Sequence, residues 1–127
     1  MIFLQFVVAA AAFLMFDAVW LKSMSGFYRR HLTELMAPKP DFRYAAAFYL
    51  IYIAGIVFFA LQPALQAGSW PAALGYGAAL GFFGYATYDL TNAATLKSWP
   101  AVVVAVDLAW GTVLTSLITL VTWLVFV

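Results

Sequence analysis

Four apolar stretches dominate the chain, separated by three polar breaks. The first covers about residues 2–21 and is interrupted only by Gln5 and Asp17; the second, 44–61, carries no charge. The third runs over about 71–94 and the fourth over about 100–126. A bilayer's hydrocarbon core is ~30 Å thick, so a spanning helix needs roughly 20 mainly apolar residues. Backbone polar groups cannot stay open in lipid, which selects helices, and the alternation of a membrane β-barrel is absent. Pro71 and Pro100 stand where proline is tolerated, at helix starts, with Ser69 and Ser98 just ahead as caps. The pattern predicts an all-α, polytopic membrane protein. It forms one domain over residues 1–127, a bundle of four transmembrane helices.

The connection 22–43 is the longest. Within it Phe27, His31, Leu32, Leu35 and Met36 recur at helical spacing, while Arg29, Arg30, Thr33 and Glu34 face the other way. This predicts a short interfacial amphipathic helix between helices 1 and 2. It stops at Ala37-Pro38-Lys39-Pro40, because proline cannot continue a helix. Its basic face would meet anionic lipid headgroups, or the segment would form a lid over a site between the helices.

Composition strengthens the membrane reading. Of the 127 residues 67% are hydrophobic and 9% charged, against roughly 25% charged in a soluble domain. No soluble domain of this length has enough interior to hide so much apolar surface. A net charge of +1 with six Lys and Arg is too little for a phosphate-tracking surface, so nucleic acid is not an expected partner. Cysteine is absent, which excludes disulfides, thiolate metal sites and cysteine nucleophiles. The one histidine, His31, lies on the surface segment without a second imidazole. No P-loop, dinucleotide fingerprint or HExxH is present, and no metal or cofactor is expected. The first stretch reads as a retained helix rather than a signal peptide, since no Lys or Arg precedes Lys22.

Charge also orients the bundle. Lys22, Arg29, Arg30, Lys39 and Arg43 lie at or after the end of the first span, and Lys97 lies between spans three and four. The connection between spans two and three has none. By the positive-inside rule these six residues face the cytoplasm and both termini face outward. A bacterial inner membrane is the expected location. Trp70, Trp99 and Trp123 are expected to anchor the interfaces.

Three aspartates lie inside the spans: Asp17, Asp89 and Asp107. A carboxylate at a helix centre costs roughly 2.5–3.5 kcal/mol on insertion scales, so each is expected to face the bundle interior. Counted from the adjoining Lys22, Lys97 and Pro100, all three sit roughly 7–12 Å below the same boundary. Tyr85, Asp89 and Asn92 share a face of the third helix by spacing, and Tyr88 adjoins it. Tyr49 and Tyr52 reach a similar depth on the second. Trp20 and Trp110 each follow an aspartate by three residues, where a ring could wall the carboxylate from lipid or stack on a ligand. The candidate ligand- or proton-binding set is therefore Asp17, Trp20, Tyr52, Tyr85, Tyr88, Asp89, Asn92, Asp107 and Trp110. In the alternative, Asp17 pairs with Lys22 and Asp89 bonds to Tyr or Asn, as structural glue. Gly77 and Gly81 form a GxxxG match on a glycine-rich helix, marking a packing face within the bundle or between protomers.

Particular strings resemble a known family. They are Phe16-Asp17-Ala18-Val19-Trp20-Leu21-Lys22, then Phe27-Tyr28, then the run from Tyr88-Asp89 through Asn92 to Lys97-Ser98-Trp99-Pro100, and finally Asp107-Leu108-Ala109-Trp110-Gly111. Together they resemble a bacterial family of small membrane proteins designated domain of unknown function 2177. The resemblance implies a membrane protein and no activity, so no catalytic residues follow from it.

Three functions fit these observations. The leading one is binding or proton-coupled transport of a small molecule or cation at the Asp/Tyr/Asn/Trp cluster. Four helices are few for a transport path, which favours a homodimer. The second is a membrane-embedded enzyme acting on a lipid or lipophilic metabolite, with Tyr85 or Tyr88 and a carboxylate in acid–base roles. The third is a non-catalytic structural or regulatory subunit of a membrane complex.

Overall fold

The computed structural model describes residues 1–127 and contains four helices and no strands. They are α1 (Ile2–Leu32), α2 (Phe42–Ala67), α3 (Trp70–Thr95) and α4 (Ala101–Phe126). Short connections force neighbours to run antiparallel. The α1–α2 and α3–α4 connections therefore share one end, here termed the basic end because all six Lys and Arg lie toward it. Three of the helices, α1, α2 and α4, are long and apolar enough to cross a membrane. Helix α3 matches α2 and α4 in length but is less apolar, being rich in Gly, Tyr and Thr.

Helix α1 corrects one expectation. Residues 26–32 do not form a separate interfacial helix; they continue α1 without a break. No proline intervenes before Pro38, and Gly26 alone does not stop a helix whose hydrogen-bond ladder is intact. At 1.5 Å per residue, 31 residues reach about 46 Å, well beyond a hydrocarbon core of ~30 Å. The end carrying Arg29 and Arg30 thus projects beyond the thickness of a hydrocarbon core while staying against the other helices, with Tyr28 on Asp107 and residues 30–35 beside Ser98. The chain turns over residues 33–35, and Asp41 then caps α2. Its carboxylate accepts from the backbone N–H of Arg43 at 3.1 Å and from the guanidinium at 3.2 and 3.0 Å. These bonds from Arg43 hold the Asp41 carboxyl below the usual range.

Helix α2 also runs past its expected end at Leu61. Pro63 lacks an N–H and its ring would strike the carbonyl four residues back in an α-helix. The chain meets this with a π-helical turn over Ile56–Leu61, in which the N–H of Gln62 reaches back to the Val57 carbonyl. The helix then continues to Ala67 and stops at Gly68, whose φ of +68° favours glycine. Ser69 caps α3, accepting from the N–H of Ala72 at 3.3 Å, whereas Ser98 caps nothing and α4 starts behind Pro100.

The tightest contact is between α3 and α4. A Cβ on Gly77 would come within 2.7 Å of the Thr115 carbonyl, and one on Gly81 would overlap the carbonyl of Gly111. The GxxxG pair is therefore a seam inside the bundle, where small residues let two backbones touch. Ser116 Oγ donates to the Leu74 carbonyl across it at 2.9 Å. Phe13, Ile56, Leu61, Leu114 and Ile118 fill the core between the other helices. Away from the basic end, Gln62 donates to Gln5 at 2.6 Å, and Trp123 Nε1 donates to the Ala64 carbonyl at 3.1 Å. Trp123 is buried, so it ties α4 to α2 instead of anchoring an interface; Trp70 is exposed, as an anchor would be.

Candidate functional site

The polar residues of the basic half are distributed over two adjacent spaces. The first is a cavity of about 410 Å³ between the projecting half of α1, α3 and α4. Its lining includes Asp17, Trp20, Tyr28, Tyr85, Asp107 and Trp110, with Arg29 also in its wall. The second is a groove of about 420 Å³ between α2 and α3, lined by Phe48, Tyr52, Gly84, Tyr85 and Tyr88. Tyr85 borders both.

Helical phase explains the cavity's composition. Asp17, Leu21, Ser25, Tyr28 and Leu32 follow one another at three- or four-residue steps, so an unbroken α1 stacks them on one face. Tyr28, on the projecting part, reaches across to donate to Asp107 Oδ1 at 2.5 Å, and Trp20 Nε1 donates to the Tyr28 oxygen at 3.2 Å. Trp20 and Trp110 stack with ring centroids 4.2 Å apart and planes 5° from parallel. The two Asp-x-x-Trp segments thus meet across the α1–α4 interface. Asp17 takes a hydrogen bond from Tyr49 of α2 at 3.0 Å; its partner is that hydroxyl and not Lys22. Beyond these tyrosine bonds, the otherwise unpartnered Trp110 Nε1 stands near the Asp17 carboxylate, and the carboxyl of Asp89 near that of Asp107.

Asp89 lies behind this wall. It is fully buried, accepts from Trp99 Nε1 at 3.2 Å through Oδ1, and has no partner at Oδ2. Its carboxyl stands beside that of Asp107, within hydrogen-bonding reach. Trp99 therefore folds back from the α3–α4 connection to serve a buried carboxyl. The three aspartates do not converge on one point, and no group of three acidic or histidine side chains is arranged to hold a metal ion. Asp17 and Asp107 share the cavity, while Asp89 contacts it through Asp107.

The remaining candidates divide as follows. Tyr52 bonds to Thr115 at 2.7 Å and Tyr88 packs edge-on against Trp99; both line the groove. Asn92 lines neither space. Tyr85 lays its ring where a Cβ on Gly111 would overlap it, and its hydroxyl has no protein hydrogen bond. Tyr28 and Arg29 were not among the expected residues; the three- and four-residue steps from Asp17 to Leu32 are the signal that identifies Tyr28, and Arg29 adjoins it.

Tyr28→Phe keeps the ring and removes the bond to Asp107. A hydrogen bond to a charged group contributes about 1.5–3 kcal/mol, less where half-exposed. Amide exchange over residues 26–32 is expected to accelerate about tenfold, with α4 unaffected. Unchanged exchange would mean that the bond does not hold the projecting turns.

A family profile described as Predicted membrane protein (DUF2177) matches residues 2–124. No curated protein and no solved structure gives a significant match. The match spans nearly the whole chain, and it agrees with three helices of membrane-crossing length. The protein belongs to the DUF2177 family of membrane proteins.

Proposed function

We propose that this protein binds a small cationic molecule in the cavity between α1, α3 and α4, and that binding is coupled to movement of a proton. The observation that carries this reading is the pair Asp17 and Asp107, two carboxylates lining one cavity whose wall holds a single cation, Arg29, paired with neither. Neither carboxylate has a cationic partner within ion-pair distance; the only salt bridge in the chain joins Arg43 and Asp41. Acceptor oxygens facing an aromatic-walled space call for a donor-bearing cation, and intramembrane carboxylates commonly mark ion or proton paths. Asp89, beside Asp107 with one oxygen unpartnered, supplies the proton-linked group. A proton held between these two carboxyls satisfies Asp89 while the cavity is empty. A cation drawing on Asp107 competes with that proton and releases it.

In this reading all four helices cross a bacterial inner membrane. Helix α3 carries a single charged residue, the buried Asp89, and packs between helices that are apolar enough to span. The basic end faces the cytoplasm by the positive-inside rule, with both termini outside. The chain has no cysteine, so single cysteines report its topology. An impermeant maleimide added to intact cells is expected to label Gln66→Cys and to spare Ala37→Cys; the reverse pattern contradicts the orientation.

Binding is tested by titrating butylamine into the purified chain in nanodiscs and following tryptophan fluorescence, since Trp20 and Trp110 line the cavity. A saturable change accompanied by proton release into weak buffer supports the proposal. A linear, unsaturable response would sink it.

A further inference from the structure

The carboxylate cavity and the aromatic groove are neighbours that share one wall residue. Tyr85 is a wall of both, and it is a single aromatic side chain whose hydroxyl is engaged by no protein group. On the cavity side stand two carboxylates and one cation, Arg29, a net negative lining; on the groove side stand Phe48, Tyr52, Gly84 and Tyr88, with no charged residue among them. Polar chemistry on one side of a ring and apolar chemistry on the other match a molecule with the same division.

We infer that the ligand is a single-chain amphiphile with an ammonium head, the head bound at Asp17 and Asp107 and the hydrocarbon chain lying past Tyr85 in the α2–α3 groove. This rests on the cationic reading above and names the ligand class for that same site. Charge complementarity selects the head: a primary ammonium offers three N–H donors and no acceptor, and the ionised carboxylates of Asp17 and Asp107, which only accept, outnumber the single Arg29 charge in the lining. Groove shape selects the chain. Gly84 forms part of the floor because it has no side chain, and Tyr52 and Tyr88 are held at the sides, the first by its bond to Thr115 and the second by its packing on Trp99. Apolar and aromatic walls with a few placed polar groups are the usual form of a small-molecule site, and about 420 Å³ is within its usual size.

Gly84 makes the inference testable with little effect on folding. A Cβ there meets only Tyr52, at 3.4 Å, an ordinary contact. Gly84→Ala is therefore the folding control and Gly84→Leu fills the groove. Butylamine, which is nearly all head, and dodecylamine are each titrated into wild type and both variants in nanodiscs. Comparing variants at one lipid composition cancels the partitioning of the long chain into the bilayer. Gly84→Leu is expected to weaken dodecylamine about tenfold and to leave butylamine within about twofold, since the lost space is that of the chain. Gly84→Ala is expected to change neither. If Gly84→Leu leaves dodecylamine at its wild-type affinity, or weakens both amines equally, the chain does not lie in the groove and the inference is overturned, while the cationic site stands. If butylamine shows no saturable binding to wild type, the cationic reading itself fails, and the amphiphile inference with it.

Discussion

Gly81→Val is expected to prevent the four-helix bundle from assembling. The two backbones meet at this point: a Cβ on Gly81 would overlap the Gly111 carbonyl and crowd the Thr115 side chain. Neither obstacle is the flexible end of a side chain, so relief requires α3 and α4 to separate. That separation would break the Ser116–Leu74 bond and open the packing around Leu114 and Ile118. Overpacking a well-filled interior typically costs 1–3 kcal/mol, and here the strained groups are main chain, so a loss of about 3 kcal/mol or more is expected. The measurement is thermal unfolding in detergent with the monodisperse fraction read by size exclusion. Gly75→Val is the control. A Cβ on Gly75 has nothing within 4 Å, and the variant is expected to melt with wild type, as surface changes of about 0.5 kcal/mol or less do. Equal melting of Gly81→Val and Gly75→Val would show that the seam is not closed as described.

Asp107→Asn is expected to separate binding from stability. Asparagine keeps a carbonyl oxygen for the Tyr28 hydroxyl, and its amide N–H can donate to the unpartnered Oδ2 of Asp89. The variant should therefore melt at or above the wild-type temperature. The same substitution removes the charge that an ammonium would face. Losing one member of a buried charge pair costs about 2–5 kcal/mol, so butylamine affinity should fall about thirtyfold or more. Proton release on any residual binding should also disappear, because the shared carboxyl pair is gone. A purely structural role predicts the opposite combination, a lowered melting temperature with binding intact.

The length of the apolar stretches, the capping Ser69 and the inward placement of Asp89 and Asp107 were all legible in the sequence. What was not legible shares one cause: local signals were overridden by continuity of the helix. Lys22 and Gly26 suggest an end to α1, yet nothing there removes a hydrogen bond, and the helix runs on to Leu32. That extension brings Tyr28 to Asp107, so ending the span at Leu21 concealed half of the cavity. Pro63 suggests an end to α2, but the π-helical turn absorbs it. Trp99 and Trp123 have the composition of interface anchors, and only tertiary contact shows that their indole N–H groups serve Asp89 and Ala64. Tyr85 was on the expected face, but its position between two spaces depends on the absence of side chains at Gly84 and Gly111, which no spacing rule reveals.

The proposed site holds one cation between Asp17 and Asp107. Its most direct test is solid-state NMR of the full chain in lipid with nitrogen-15-labelled butylamine and carbon-13-labelled aspartate. Through-space contacts are expected from the ammonium nitrogen to the carboxyl carbons of both Asp17 and Asp107, at about 4 Å or less, as for a hydrogen-bonded ion pair. Contacts to Asp41 alone, or none to either cavity carboxyl under saturating amine, would contradict it.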